Sequence, residues 1–309
     1  MKYVEFINQT IRKKILEPEK ILLYGQNIAA GSCLSGLTRG LEVKAGRIIN
    51  TPNCENTLCG IGFGAMMNGV SAIFFMKQLD FLLLGIDQLV NTYNIVRRKA
   101  PTASFTIFPV IVDSGYEGPQ SSLNNLGDFC SMARIPGYTI NTQVEATEII
   151  EHHLISPGFR ILGVSQRLFK TEIMDLAPVA MNAGRSLFQY SSGADVTIIC
   201  HNFSLPYGLE FQKRLLEKGV HPSLFSVNGA MPISWDEVIT DVSKTKKVIV
   251  IDDSKSMNPS WQGMLNILYV RCRLSKCVLV QRSFSGYYCR PQHDQLEIDY
   301  ERVIGDLKF

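Results

Sequence analysis

Glu55 is the ionisable residue whose position most suggests chemistry. It ends the run Arg47-Ile-Ile-Asn-Thr-Pro-Asn-Cys-Glu55 and stands directly before a segment with the apolar spacing of a helix. A carboxylate in the first turn of a helix interacts favourably with the helix dipole. The spacing by itself therefore favours a stabilising role, and a role in proton transfer needs a further reason.

Two acids and one histidine follow predicted strands in the second half of the chain. Asp252 and Asp253 come directly after Lys-Val-Ile-Val-Ile, and His201 ends a strand at the sheet edge where α/β proteins bind ligands. Paired acids can bind Mg²⁺ or a ribose, but no phosphate loop accompanies these two. We therefore predict that they cap the next turn, and His201 is a candidate on position alone.

The cluster Gly60-Ile-Gly-Phe-Gly64 does not have the spacing of a phosphate-binding loop. It also follows no predicted strand, whereas a phosphate loop needs a strand that leads into a glycine turn. We interpret Gly60, Gly64 and Ala65 as small residues that let another backbone approach a helix. The chain has neither a GxSxG elbow nor an HExxH motif, so neither a triad hydrolase nor a zinc protease is predicted.

Composition limits the class of protein. The 309 residues are 46% hydrophobic and 19% charged, which is enough apolar material for a core, and the length suggests two domains. A net charge of +3 is too small for a nucleic-acid-binding or membrane-surface field. We see no signal-peptide pattern, no apolar run of the ~20 residues that cross a bilayer, and no zinc-site spacing among the cysteines. A cytoplasmic protein with reduced thiols is predicted.

Two series of alternating strands and helices position these residues. The first has strands at 20–24, 70–75, 104–113, 137–141 and 159–164, with helices at 4–15, 56–67, 81–97 and 145–154. The second has strands at 195–200, 223–227, 247–251 and 277–281, with helices at 208–218, 235–242 and 263–272. Continuous apolar strands separated by helices indicate an α/β fold with parallel sheets covered on both faces. Residues 165–193 lose this periodicity, so we predict two doubly wound domains, 1–178 and 194–309, with a linker at 179–193.

Several motifs together resemble one family, the thiamine-diphosphate-dependent enzymes. The chain is similar to the β subunit of the decarboxylating component of 2-oxo acid dehydrogenase complexes, and to the C-terminal half of transketolase. The resemblance covers about residues 1–300 and is most specific over 47–88. It is carried by Ile21-Leu-Leu-Tyr-Gly25, Ser35-Gly-Leu-Thr-Arg-Gly-Leu41, Arg47-Ile-Ile-Asn-Thr-Pro52 with Glu55, and Phe81 with Gly85-Ile-Asp-Gln88.

The resemblance implies a pyrimidine-binding domain over 1–178 and a transketolase C-terminal-like domain over 194–309. It implies thiamine diphosphate with Mg²⁺ as the cofactor, bound between this chain and an alpha-type subunit that carries a Gly-Asp-Gly…Asn motif. Neither Gly127-Asp-Phe129 nor Gly305-Asp-Leu307 completes that motif here. A partner chain is therefore expected to hold the diphosphate and the metal, in an α2β2 heterotetramer or a similar assembly.

The resemblance also assigns roles beside the cofactor. A glutamate at the position of Glu55 hydrogen-bonds N1′ of the aminopyrimidine and so promotes removal of the proton from the thiazolium carbon. Phe81 matches a family phenylalanine, whereas Leu79 stands where an aromatic residue is common. Gln26 replaces a family glutamate, and Asn53 lies in the same pocket region. These five residues are the predicted cofactor-side set, and Glu55 is the predicted catalytic residue.

On the substrate side the sequence departs from the family. The family places a histidine in the loop after the strand at 104–113, but no histidine occurs before residue 152 here. Polar side chains that could hydrogen-bond a polyol or a carboxylate follow that strand, and His201 is a further candidate. The predicted substrate-side residues are Ser121, Ser122, Asn124, Asn125 and His201.

We therefore predict a subunit of a two-chain enzyme that decarboxylates a 2-oxo acid and transfers the acyl or aldehyde group. Three alternatives stay open. The chain could belong to a split transketolase or carboligase that transfers a two-carbon ketol unit. It could be a non-catalytic scaffold, as the missing histidine suggests and Glu55 argues against. It could also be a nucleotide-binding α/β protein without thiamine, on fold analogy alone.

Overall fold

The fold is built on two sheets, and the computed structural model describes residues 1–113, 123–231, 233–282 and 296–307. Within these ranges the first series of elements is α1 (Tyr3–Lys14), β1 (Ile21–Gly25), β2 (Gly46–Asn50), α2 (Glu55–Met67), β3 (Ser71–Met76), α3 (Tyr93–Val96), β4 (Ser104–Ile111), α4 (Leu126–Ala133), β5 (Gly137–Thr139), α5 (Gln143–His153) and β6 (Gly158–Ser165). The second series is β7 (Ala180–Met181), β8 (Leu187–Ser191), β9 (Val196–His201), α6 (Leu205–Glu217), β10 (Pro222–Val227), β11 (Gly229–Met231), α7 (Asp236–Thr245), β12 (Lys247–Asp252), α8 (Trp261–Cys272), β13 (Lys276–Gln281) and α9 (Tyr300–Asp306).

The first sheet has the strand order β11-β5-β6-β4-β3-β1-β2. All its neighbours are parallel except β11 and β5. Helices α1 and α5 cover one face, and α2 and α4 cover the other. Strands β3 and β4 are consequently buried along their whole length, which explains why their sequences are continuous apolar runs.

The second sheet has the order β13-β12-β9-β10-β8-β7, with the first four strands parallel. Helices α6 and α9 pack on one face, and α7 and α8 on the other. The predicted α/β fold with two parallel-dominated sheets is confirmed. None of the helices in the described ranges combines the length and apolar character that a bilayer crossing requires.

The segment 179–193, predicted as a linker, contains β7 and β8. These strands extend the second sheet by antiparallel pairing with β10 and with each other. The turn between them is held by Asn182, whose Oδ1 accepts hydrogen bonds from the amides of Ser186 and Leu187. The two short strands were not predicted, because the polar residues of the segment 179–193 interrupt any apolar run. Strand β11, although it lies beyond residue 194, pairs with β5 of the first sheet; the domain limits stay a prediction.

The prediction of a long helix at 81–97 is wrong. The chain forms a 3-10 turn at Leu79–Leu84, a π turn at Gln88–Thr92, the short α3, and a second 3-10 turn at Arg97–Lys99. The break falls at Gly85, where the segment comes so close to α2 that an added Cβ would lie 2.7 Å from Cys59 Sγ. Close packing on α2 therefore overrides the helical periodicity of the sequence.

Strand β2 was missed because it is an edge strand with mostly exposed residues, so no apolar run marks it. It does precede the glycine cluster, but the glycines lie inside α2 and not at its start. Gly60 and Gly64 do not admit another backbone within the described ranges, contrary to the expectation. A Cβ at Gly60 would meet the Gln88 side chain at 3.7 Å, and one at Gly64 would have no described atom within 4 Å. A Cβ at Gly62, in contrast, would lie 2.2 Å from the Phe105 ring.

We expect Gly62→Ala to lower the free energy of unfolding by about 1–3 kcal/mol. The added methyl group would displace Phe105, which is confined by Phe63 at 4.9 Å and Phe159 at 4.9 Å between ring centroids. Gly64→Ala, two residues along the same helix, is the matched control and should be neutral or stabilising by up to about 1 kcal/mol. Urea unfolding of the two variants measures this, and equal stabilities would contradict the packing argument.

Candidate functional site

Glu55 opens α2 at the carboxyl end of the first sheet. The loop that leads to it is fixed from behind by Asn50, whose Oδ1 accepts hydrogen bonds from the amides of Ile28 (2.8 Å) and Ala29 (2.9 Å). The Glu55 residue is only 7% exposed. Its carboxylate nevertheless forms no hydrogen bond or ion pair with any residue that the structure describes. Its carboxylate oxygens are not among the fully buried polar atoms that lack a partner, so solvent or a ligand in a neighbouring cleft can reach them.

The carboxylate lines a small cleft of about 240 Å³, here named the Glu55 cleft. Four of the five predicted cofactor-side residues lie together on its wall. The lining residues are Gln26, Pro52, Asn53, Glu55, Leu58, Phe74, Phe75, Met76, Lys77 and Phe81. The cleft thus combines one carboxylate, two amide side chains, one lysine and a largely aromatic and aliphatic wall.

Leu79 is the predicted cofactor-side residue that does not line the Glu55 cleft. It begins the 3-10 turn and its side chain is fully buried in the core beside Leu82. Phe81, two residues later in that turn, does reach the cleft. The sequence analysis predicted that both Leu79 and Phe81 face the cofactor. In the structure the apolar wall of the cleft is formed by Phe81 and by strand β3.

A rigid layer supports the cleft from below. The rings of Tyr24 and Phe74 stack at 5.2 Å between centroids, and the Tyr24 hydroxyl donates a 2.7 Å hydrogen bond to the Leu58 carbonyl. Phe74 and Leu58 both line the cleft. Strand β1, strand β3 and helix α2 are thereby fixed relative to one another, and Glu55 is carried on this fixed frame.

The predicted substrate-side residues do not join this cleft. Ser121 and Ser122 lie outside the described residues. Asn124 is fully buried, donates to the Asp253 carbonyl at 2.9 Å and accepts from Asn202 Nδ2 at 2.8 Å. These contacts occupy its amide in the junction between the two halves of the chain.

Asn125 and His201 are likewise placed away from Glu55. Asn125 Nδ2 donates to Asp128 Oδ2 at 2.5 Å and to the Lys255 carbonyl at 3.2 Å, so it ties the start of α4 to the second half. His201 ends β9 and is 4% exposed, and its ring lies 5.7 Å from the Trp235 ring. Burial lowers the pKa of His201 to about 3, so the imidazole is neutral near pH 7.

Sequence reasoning missed two features. Lys77, directly after β3, is an exposed residue that lines the Glu55 cleft. Its signal was its place directly after a buried strand. The second feature is Arg167, which lies between Asp113 and Asp253 and joins the two halves of the chain. No local pattern marks this contact, because its three members are far apart in sequence.

Asp252 behaves as the sequence predicted, because its Oδ1 accepts a 2.8 Å hydrogen bond from the Ser254 amide and caps the turn. Oδ2 accepts further bonds from Ser254 Oγ at 3.0 Å and from Trp261 Nε1 at 3.0 Å. Desolvation by burial nevertheless dominates and raises the pKa of Asp252 to about 6.

This raised pKa predicts a pH-dependent contribution to stability. A carboxyl group whose pKa is higher in the folded than in the unfolded state stabilises the fold fully below the unfolded value of 3.8, and this contribution is lost as pH rises to about 6. We expect the difference in unfolding free energy between the parent and Asp252→Asn to shift by about 3 kcal/mol in favour of the parent between pH 7 and pH 4. Denaturant unfolding at several pH values measures this, and a constant difference would contradict it.

Comparison with known proteins finds distant relatives among the β subunits of dehydrogenases. The pyruvate dehydrogenase E1 component subunit beta of Staurastrum punctulatum is 24% identical over 257 residues, covering 81% of this chain and 77% of that protein. The 2-oxoisovalerate dehydrogenase subunit beta of Bacillus subtilis (strain 168) is 22% identical over 266 residues, covering 82% and 80%. No protein-family model matches the chain.

Solved structures agree in fold. A split-gene transketolase, described as an inactive beta4 tetramer, matches with a TM-score of 0.71 at 12% identity, over 98% of this chain and 96% of that chain. Transketolase from Campylobacter jejuni matches with a TM-score of 0.67 at 14% identity, over 98% of this chain and 44% of that longer chain. In sequence the chain is therefore similar to the β subunits of pyruvate and 2-oxoisovalerate dehydrogenases, and in fold it is similar to transketolases.

Proposed function

We propose that this chain is the pyrimidine-binding subunit of a two-chain thiamine-diphosphate enzyme that acts on a 2-oxo acid. The single observation that carries the proposal is the Glu55 carboxylate. It is nearly buried, it lines a cleft of aromatic and amide side chains, and it has no partner in the described part of the chain. A ligand with a ring nitrogen that shares a proton with this carboxylate would supply the partner that the described residues do not supply.

The residues of the Glu55 cleft fit the aminopyrimidine half of thiamine diphosphate. Phe81 and Phe74 offer apolar surface for a flat ring, and Gln26 can hydrogen-bond a polar edge of it. Glu55 would hold a proton against the ring nitrogen N1′ and orient the ring on the fixed frame of α2. Bound thiamine diphosphate supplies a thiazolium carbon that serves as nucleophile and electron sink.

A partner chain is part of the proposal. Elements that carry the Glu55 cleft also expose large apolar side chains, namely Ile61 on α2 (44%) and Leu83 (46%) and Leu84 (58%) in the turn after Phe81. Exposed apolar surface of this kind is typical of a protein interface. Within the described ranges, no three His, Cys, Asp or Glu side chains come together as a metal site. We propose that an alpha-type subunit holds the diphosphate and Mg²⁺, in an α2β2 heterotetramer.

The proposed substrate is a 2-oxo acid, because the relatives named above are subunits of pyruvate and 2-oxoisovalerate dehydrogenases. The proposed reaction is decarboxylation followed by transfer of the acyl or aldehyde group. The missing loop histidine leaves the acceptor open, and a ketose donor would instead identify a split transketolase or carboligase.

Calorimetric titration of thiamine diphosphate with Mg²⁺ tests the proposal. The titrant is added to this chain, to a candidate partner that carries the Gly-Asp-Gly…Asn motif, and to the purified pair. We expect binding to the pair and no binding to this chain alone, because the cofactor would be shared at the interface. A pair that assembles and does not bind contradicts the proposal. The pair is then assayed with 2-oxo acids and with ketoses, and turnover of ketoses alone would exclude the 2-oxo acid assignment.

A further inference from the structure

A second cleft lies where the two halves of the chain meet, and nothing in the proposed function uses it. The space between its lining residues is about 420 Å³, part of it open to solvent. It lies beside the ends of β9, β10 and β12, and α4 and β5 of the first half form its opposite wall. We name it the junction cleft. Strand β10 lies on one side of β9 and β12 on the other, so the chain reverses its winding direction beside β9. Ligands of open α/β sheets bind in crevices at this topological position.

Two buried side chains on the wall of the junction cleft have unused hydrogen-bonding atoms. His201 Nε2 and Asn228 Oδ1 have no partner within the described ranges, and the residues are 4% and 1% exposed. The Asn228 amide nitrogen already donates to the Thr139 carbonyl and to Glu145 Oε2, which leaves its oxygen as an acceptor. A buried polar atom without a partner lowers stability, so a ligand that hydrogen-bonds here would recover that loss.

The charge of the described lining disfavours an anionic ligand. Among the described lining residues Asp252 is the one acid, and none is a lysine or an arginine. The other polar side chains of this lining are the His201 imidazole, two amides, and the hydroxyls of Thr139, Ser254, Ser256 and Ser260. Hydroxyl groups of an uncharged ligand can both donate to the unused acceptors and accept from these serines.

An apolar groove continues from the junction cleft and shares Gly127, Ala230 and Ser260 with it. It encloses about 720 Å³, and its other lining residues include Met231, Ile233 and Trp235. Trp235 is half-buried, and its ring lies 5.7 Å from the His201 ring, so the indole stands at the boundary between the polar and apolar parts. A flat heterocycle could stack on it.

We propose that the junction cleft and this groove bind an uncharged nucleoside. The hydroxyl groups of the sugar would lie against Asn228, Ser254 and Asp252, and the base would stack on Trp235. A sugar alone would leave the apolar groove empty. A nucleotide would bring a phosphate to a cleft that offers a carboxylate and no cation among its described lining residues.

Calorimetric titration of adenosine, guanosine, cytidine and uridine into the full chain tests this proposal without reference to thiamine. We expect at least one nucleoside to bind with a Kd below about 1 mM. Its 5′-monophosphate and free ribose should each bind at least ~10-fold more weakly, because one brings an uncompensated charge and the other lacks the stacked base. No binding by any of the four nucleosides overturns the proposal, and so does a monophosphate or free ribose that binds as tightly as the nucleoside.

Variants of the exposed groove locate the site. Trp235→Ala should weaken binding of the nucleoside by about 5- to 150-fold, as expected for loss of the stacking on one base. Trp235→Phe should retain most of the affinity. Tyr269→Ala, which removes an aromatic side chain that is 55% exposed on α8, is the matched control and should bind like the parent. Equal affinities of the parent and Trp235→Ala would overturn the placement of the base.

Discussion

Replacing Glu55 by glutamine is expected to lower the turnover number of the assembled enzyme by about 10²- to 10⁴-fold. The amide is nearly isosteric with the carboxylate, but it cannot hold a negative charge against the ring nitrogen of the cofactor. The side chain forms no hydrogen bond or ion pair within the described ranges, so the substitution removes no internal contact of the known structure. Stability and assembly with the partner should therefore stay close to those of the parent.

The experiment compares initial rates of the parent pair and the variant pair at saturating thiamine diphosphate. Thermal unfolding and gel filtration verify that the variant folds and assembles. Glu5→Gln is the matched control, because Glu5 is also an acid in the first turn of a helix, α1, but is exposed and away from the Glu55 cleft. A variant pair that binds the cofactor and keeps its full rate would show that Glu55 is not catalytic.

Replacing Arg167 by methionine is expected to lower the free energy of unfolding by about 3–5 kcal/mol. Arg167 Nε lies 3.3 Å from Asp113 Oδ2, and Nη2 lies 3.2 Å from Asp253 Oδ2. Both carboxylates are fully buried, whereas the guanidinium side chain is 16% exposed. Methionine keeps most of the apolar stem but removes the cation, which leaves two buried carboxylates without their shared partner.

The position of this ion pair explains the size of the effect. Asp113 follows β4 in the first half, and Asp253 follows β12 in the second. Asp253 Oδ1 also accepts bonds from Asn202 Nδ2 and the Phe203 amide at 2.9 and 3.0 Å. Loss of the guanidinium therefore disturbs a hydrogen-bonded network that joins the two sheets, and the whole junction is weakened with it.

The loss of unfolding free energy caused by Arg167→Met should depend on pH. Burial raises the pKa of Asp113, and Arg167 opposes that rise, so the variant should raise the pKa further. A raised carboxyl pKa stabilises the fold at low pH and ceases to do so as pH rises through the folded value. The free energy of unfolding of the variant should therefore fall furthest below that of the parent near pH 7. The difference should shrink as pH falls toward 3.8, the pKa of Asp113 in the unfolded chain.

Urea unfolding of the parent and the variant between pH 4 and pH 7 tests both statements. Arg214→Met is the matched control, because Arg214 also pairs with two acids, Glu210 and Glu301, but at an exposed site. Its loss should cost much less than the loss of Arg167, because exposed ion pairs contribute little to stability. Equal costs for the two arginine variants would show that burial of the Arg167 network does not govern its contribution.

The sequence by itself determined the class of fold and the place of the candidate site. Strands buried on both faces must be continuous apolar runs, so β3, β4, β9 and β12 were visible as such. The roles of Glu55 and Phe81 beside the cofactor came from the resemblance to a family. Their places came from the sequence itself, because Glu55 starts a predicted helix and Phe81 follows a predicted strand. These are local consequences of residue type and order.

The tertiary structure decided what depends on contacts between distant segments. Close packing on α2 broke the helix predicted at 81–97 and turned Leu79 into the core while Phe81 reached the cleft. Pairing with β10 made strands of the predicted linker, and β11 crossed to the first sheet. The Arg167 network and the junction cleft join segments more than fifty residues apart, and a local pattern cannot encode such a meeting. Side-chain burial and unused hydrogen-bonding atoms exist only once those segments are packed together.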